Sequence, residues 1–96
     1  MDMYFVYVLE NRDDGSFYVG YTTSIDRRLN EHVTGKGGQT TRRTPNWQLI
    51  YYEAYLNKHD ALGRERFLKG GSGRKYLHRQ LKNYLGGDNG SFKSPS

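Results

Sequence analysis

Apolar and polar positions along the chain follow two periods. Residues 4 to 9, Tyr-Phe-Val-Tyr-Val-Leu, are aromatic, β-branched or aliphatic without a break, the pattern of a strand covered on both faces. Asn11-Arg12-Asp13-Asp14-Gly15-Ser16 is turn chemistry, with Asp14-Gly15 the expected tight position. Residues 17 to 21 resume as a second strand, pairing antiparallel with the first. The period then lengthens to four. Ile25, Leu29 and Val33 form the buried stripe of a helix over 25 to 33, with Ser24 as its N-cap and Gly35 near its end. Residues 47 to 55 read as a third strand, with Leu49, Tyr51 and Glu53 on one face and Ile50, Tyr52 and Ala54 on the other. A second helix is expected over 58 to 69. Gly70-Gly71-Ser72-Gly73 should break it before a third helix from 74 to 85, whose apolar stripe is Leu77, Leu81, Tyr84 and Leu85.

Between these elements, residues 35 to 46 form a glycine-rich basic loop without periodicity, long enough to be functional. Residues 86 to 96 are mostly Gly, Ser, Asn and Asp, with one Pro, one Phe and one Lys, and are expected to be a disordered tail after a single domain over 1 to 85. The order β-β-α-β-α-α predicts a small α/β fold: a three-stranded sheet, mixed or antiparallel, flanked by helices.

Composition narrows the function classes. At 96 residues, 34% hydrophobic and 15% aromatic, the chain can build one small core from tyrosine, leucine and phenylalanine, without a deep cavity. The absence of cysteine excludes a disulfide frame and a thiolate zinc site, and fits a reducing cytoplasm. No apolar run approaches the ~18 residues of a membrane span, and Met1-Asp2-Met3-Tyr4 lacks the character of a signal peptide, so a soluble protein without a membrane partner is expected. The net charge of +5 favours a polyanionic partner. Residues 58, 64, 66, 69, 74, 75, 79 and 82 are Lys or Arg, against Asp60 and Glu65 in the same stretch. Such a run is either a solvated helical surface or a phosphate-facing patch.

Several residues ask for more than packing. Arg28 and His32, four apart, share one helix face beside the apolar stripe, at the rim of the core. They are either amphipathic edge residues or groups aimed at what the sheet presents there. Glu65 falls in angle between Ala61, Leu62 and Leu68, on the side that must pack. A carboxylate there is costly unless it is in an ion pair, with Arg28 or Arg64 the nearest choices, or holds a lone hard cation such as Mg²⁺. Tyr7 and Tyr18 stand on adjacent strands and can approach one another; two strand tyrosines are ordinary packing unless a positive group biases their phenols.

Phe5-Val6-Tyr7, Tyr18-Val19-Gly20, the segment from Tyr21 through Arg28 to His32, Gly35-Lys36-Gly37-Gly38, Thr41-Arg42 and Ala61-Leu62-Gly63-Arg64-Glu65 together resemble the GIY-YIG nuclease family, in particular its small single-domain bacterial members. The resemblance covers roughly residues 4 to 84. Phe5 stands for the opening glycine of the first motif and Val19 for the isoleucine of the second. Thr40 replaces a loop tyrosine common in relatives. The resemblance implies phosphodiester hydrolysis in DNA at one divalent ion, Mg²⁺ or Mn²⁺. Tyr7 would activate the water with Tyr18 in support, Arg28 would stabilise charge on the phosphoryl oxygens, His32 would assist from the same helix, and Glu65 would hold the metal. DNA contacts are expected from Lys36, Thr41, Arg42, Arg43, Arg64, Lys69, Arg74 and Lys75. Single-stranded, branched and duplex DNA all remain possible substrates, in repair, recombination or processing. No sequence-reading module accompanies the domain, so specificity should be low or come from a larger partner protein. The alternatives are a noncatalytic nucleic-acid-binding module of the same fold and an adaptor using Leu77, Leu81 and Leu85.

Overall fold

The computed structural model describes residues 2–33 and 46–86, with 31–33 described by backbone alone. Lys36, Thr41, Arg42 and Arg43, and the tail beyond Gly86, therefore lie outside the described residues. The elements are β1 (Tyr4–Asn11), β2 (Phe17–Thr22), α1 (Ile25–Val33), β3 (Trp47–Tyr55), α2 (Lys58–Lys69) and α3 (Gly71–Gln80), in the expected order. They fall into two compact units that divide between Glu65 and Arg66, within α2. Among the described residues, no helix is long and apolar enough to cross a membrane.

The first unit is built on a sheet of order β2-β1-β3, antiparallel throughout. The unbroken apolar run of β1 is explained by its central place: Val6, Tyr7, Val8 and Leu9 are each at most 2% exposed. Burying each such side chain is worth about 1.5–3 kcal/mol, and a strand covered on both faces gains this at every position. The β1–β2 turn closes as its residues predict. Gly15 takes φ +76°, a conformation that disfavours side chains. The buried Asn11 side chain accepts the Asp13 N–H through Oδ1 at 2.8 Å. Asp13 in turn accepts from Asn46 Nδ2 at 3.0 Å, tying the turn to the entry of β3.

Two side-chain caps start the helices of this unit. Ser24 Oγ accepts the Arg27 N–H at 3.3 Å to open α1, and Asn57 Oδ1 accepts the His59 N–H at 2.8 Å to open α2. Thr22, buried at the end of β2, accepts the Ser24 N–H at 3.1 Å and so fixes the step from strand to helix.

The two faces of β3 differ from the strict alternation expected of it. Val8 pairs with Tyr51 and Leu9 with Leu49, so Ile50 is an extra residue, a bulge. One extra residue flips the side-chain parity. Leu49 therefore joins Tyr7 and Leu9 on one face, away from Tyr51 and Glu53, which share the other. Helix α1 packs on the first of these faces through Ile25 and Leu29. Helix α2 approaches the second, where Arg64 reaches Glu53.

The second unit carries the remainder of α2 and α3. Helix α3 begins at Gly71, three residues earlier than expected, and ends at Gln80. Only Gly70 interrupts the helical path, in an extended conformation. Gly73 lies inside the helix because a Cβ there would come within 2.0 Å of the Phe67 carbonyl oxygen and 2.4 Å of Leu68 Cα. The glycines that resemble a helix breaker are in part the condition for two helices to touch. Phe67 meets Tyr76 edge-on with ring centroids 6.3 Å apart, and Leu68 and Leu77 are buried.

Candidate active site

The sheet face that carries Tyr7 is also where α1 packs, and three of the five expected site residues meet there. Tyr7 pairs across the hairpin with Gly20, and Tyr18 with Leu9, so the two phenols are diagonal neighbours. Their rings lie 6.3 Å apart, tilted by 36°. Arg28, on α1, lines a cavity of ≈ 10 Å³ together with Tyr7, Leu9, Ile25, Leu29 and Leu49. That space suits about one water centre. The Arg28 side chain hydrogen-bonds to the Tyr7 phenol, which is also hydrogen-bonded to Tyr18.

Gly20 makes this arrangement sterically possible. A Cβ at Gly20 would stand 2.4 Å from both Cζ and Oη of Tyr7, so the phenol lies over the backbone where any side chain would be. A glycine within a strand signals such a close approach, and Gly20 was that signal in the sequence. Trp47 extends the aromatic row: its ring meets Tyr18 edge-on at 6.2 Å. The sequence offered no comparable hint of this contact, since it rests on the pairing of Asn11 with Trp47.

Burial, and next the neighbouring Tyr18, push the Tyr7 phenol up to about 12, against the opposing hydrogen bond and charge of Arg28. At neutral pH the Tyr7 phenol is therefore held protonated. In the free protein Tyr7 is a hydrogen-bond donor, and service as a base requires added positive charge nearby.

Glu65 sits half-buried on α2, on the helix side that also carries the buried Ala61 and Leu68, as its angle predicts. Among the described residues no three His, Cys, Asp or Glu side chains gather, so these residues offer no closed protein cage for a metal. A half-exposed single carboxylate does fit a hard cation that keeps several waters and takes phosphate oxygens as its other ligands. His32 belongs to the last turn of α1, and its side chain lies outside the described residues.

Of the expected DNA contacts, Lys69, Arg74 and Lys75 are exposed in the second unit. Arg64 is placed differently. Its Nε lies 3.0 Å from Glu53 Oε1 and its Nη2 3.0 Å from Oε2, a bidentate pair on the second sheet face. Glu53 also accepts from the Tyr51 and Tyr55 hydroxyls, two residues to either side on β3. Burial raises its pKa, but the hydrogen bonds of Arg64, Tyr51 and Tyr55 and the Arg64 charge outweigh burial and hold the carboxyl below its ordinary range. Sequence spacing gave no indication that Arg64 and Glu53, 11 residues apart, would pair.

Residues 3–86 match a family described as the GIY-YIG catalytic domain. A UPF0213 protein from Streptococcus agalactiae is 46% identical over 65 residues, 68% of this chain and 73% of that protein. The UPF0213 protein BH0048 of Halalkalibacterium halodurans is 40% identical over 84 residues, 88% of this chain and 86% of the relative. The solution NMR structure of UPF0213 protein BH0048, from Bacillus halodurans, shares the fold with a TM-score of 0.51, covering 90% of this chain and 88% of that one. These relatives' names state no reaction.

Proposed function

Since the chain belongs to the GIY-YIG catalytic-domain family, we propose that it is a metal-dependent endonuclease hydrolysing DNA phosphodiester bonds with low intrinsic sequence specificity. The observation that carries this reading is the Tyr7 phenol lying over Gly20 and hydrogen-bonded to both Arg28 and Tyr18. A tyrosine that only filled the core would need neither a half-buried arginine partner nor a side-chain-free strand position beside it.

In this reading Arg28 faces the phosphoryl oxygens and stabilises the charge that develops there. Tyr7 takes the proton of the attacking water after losing its own, a loss that the Arg28 charge already favours and that the hydrogen bond to Tyr18 can relay. His32 assists from α1 by hydrogen bonding or proton transfer. Glu65 would hold one Mg²⁺ or Mn²⁺, and that ion would supply positive charge beside the scissile phosphate and the leaving oxygen. Lys36, Thr41, Arg42 and Arg43 of the basic loop, with Lys69, Arg74 and Lys75, contact the DNA backbone, which carries affinity without sequence information. A larger protein then supplies any specificity, in DNA repair, recombination or processing within the cytoplasm.

The test is cleavage of labelled single-stranded, duplex and branched DNA with Mg²⁺ or Mn²⁺, comparing wild type with Tyr7→Phe and Glu65→Ala. Loss of cleavage in both variants with DNA binding retained supports the reading. Cleavage at the wild-type rate in both rejects the site. A wild-type protein that binds all three DNAs and cuts none is the noncatalytic module instead.

A further inference from the structure

The Glu53 cluster has no part in the chemistry just described, yet it is the most heavily bonded side-chain group on β3. Its carboxylate takes the Tyr55 hydroxyl on Oε1 at 2.5 Å, the Tyr51 hydroxyl on Oε2, and both faces of the Arg64 fork. The phenols come from positions two before and two after Glu53 on one strand, so they hold the carboxylate upright between them. The ion pair is largely sheltered, with the side chains of Arg64 and Glu53 24% and 17% exposed.

Arg64 directly precedes Glu65 on α2. Successive helix residues are separated by about 100° around the axis, so a guanidinium fixed to the sheet by two bonds fixes the direction of the next side chain. The tolerance is small. A carboxylate about 6 Å from the helix axis moves about 1 Å for a rotation of 10°, whereas metal–ligand distances are kept within about 0.2 Å. The helix is also weak at this turn: Gly63 precedes Arg64, and beyond its chain neighbours and its own helix backbone no atom of the described residues stands within 4 Å of the place where its Cβ would be. Packing does not demand glycine there, and it lowers helix stability by about 1 kcal/mol relative to alanine.

We propose that Glu53, held by Tyr51 and Tyr55, is a positioning residue for Glu65: its bidentate pair with Arg64 sets the rotation of α2 and so presents the Glu65 carboxylate to a divalent cation. This rests on the reading of Glu65 as the metal-holding carboxylate. Groups hydrogen-bonded directly to a metal ligand typically change metal affinity by roughly 10–100-fold; Glu53 acts one step further out, through Arg64 and the helix, so the lower end of that range is expected.

The experiment measures Mn²⁺ binding to the full chain without DNA by electron paramagnetic resonance, alongside the Mn²⁺ dependence of DNA cleavage. The variants are Glu65→Gln, Glu53→Gln, Arg64→Lys, the double variant Glu53→Gln with Glu65→Gln, and Ala61→Gly as a control that destabilises α2 without touching the pair. Glu65→Gln should abolish the bound-Mn²⁺ signal, and the double variant should lose nothing more. Glu53→Gln and Arg64→Lys should each raise the Mn²⁺ dissociation constant and the half-saturating Mn²⁺ concentration about tenfold, with little change in the rate at saturating Mn²⁺. Ala61→Gly should bind Mn²⁺ as wild type does. Arg64→Lys keeps the charge and loses the fork, so it decides the matter if Glu53→Gln does not fold. Unchanged Mn²⁺ affinity in Glu53→Gln and Arg64→Lys, or an equal loss in Ala61→Gly, overturns the positioning role while leaving Glu65 as the ligand. Wild-type Mn²⁺ binding by Glu65→Gln overturns both.

Discussion

The phenol of Tyr7 lies directly over Gly20, its partner across β1 and β2, at a distance that leaves no room for a Cβ. That relationship joins a motif glycine on one strand to a motif tyrosine on the other. It predicts that Gly20→Ala displaces the Tyr7 ring and breaks its bond to Arg28. Overpacking of this kind costs about 1–3 kcal/mol, measurable by urea unfolding. Cleavage should fall far more than that loss of stability alone explains.

Tyr7→Phe keeps the ring and removes the hydroxyl. If Tyr7 handles the proton of the water, cleavage should fall by about 10²–10⁴-fold, the usual worth of general acid–base catalysis, with DNA affinity unchanged. The same variant checks the buried phenol independently. Absorbance titration at alkaline pH should show one fewer tyrosine ionising near 12 than in the wild type. A phenol raised in this way supports folding below the ordinary tyrosine range, and that support is lost as pH rises from about 10 toward the folded value.

Glu53 sets a limit at the acid end. Its carboxyl is held below the ordinary value of 4.5, so the unfolded chain takes up the proton first as pH falls. The stability from the Arg64 pair is therefore complete above that value and lost as pH drops through the folded one. Chemical unfolding from pH 7 to 3 should show an acid limb that flattens in Glu53→Gln.

Gly73 predicts a defect confined to the second unit. Gly73→Ala forces a methyl against the Phe67 carbonyl and Leu68 backbone, neither of which can rotate aside. Helical signal should be lost at about 1–3 kcal/mol less denaturation free energy. The Tyr7 absorbance titration should remain as in the wild type.

Lys69, Arg74 and Lys75 are exposed, and if they contact phosphates each should carry one unit of salt dependence. Replacing any one with glutamine should weaken binding equally across DNA sequences and lower the slope of log affinity against log salt by about 1. An affinity that does not vary with salt removes phosphate contact as the main source of binding.

Much of this protein is written in short stretches of its sequence. The unbroken apolar run of β1 announces a central strand, Asp14-Gly15 a tight turn, Ser24 a helix cap, and the fourfold spacing of Ile25 and Leu29 the face on which α1 packs. These signals are local: each depends on the conformational preference of a few neighbouring residues and on which side of one element is covered. They also suffice to put Arg28 at the rim of the core and Glu65 on the inward side of α2. What the tertiary structure decided are relationships between elements. The bulge at Ile50 moves Leu49 to the face of Tyr7, because the register of β3 is set by its pairing with β1 and not by its own alternation. Gly20 and Gly73 have their meaning only in what lies above them, a phenol in one case and a helix backbone in the other. Arg64, one cation among many in the sequence, is drawn to Glu53 because folding brings a half-buried carboxylate within reach of its fork. Periodicity reports which face of an element is buried; only the packed chain selects the partner on that face, since that choice depends on distances between residues far apart in the sequence.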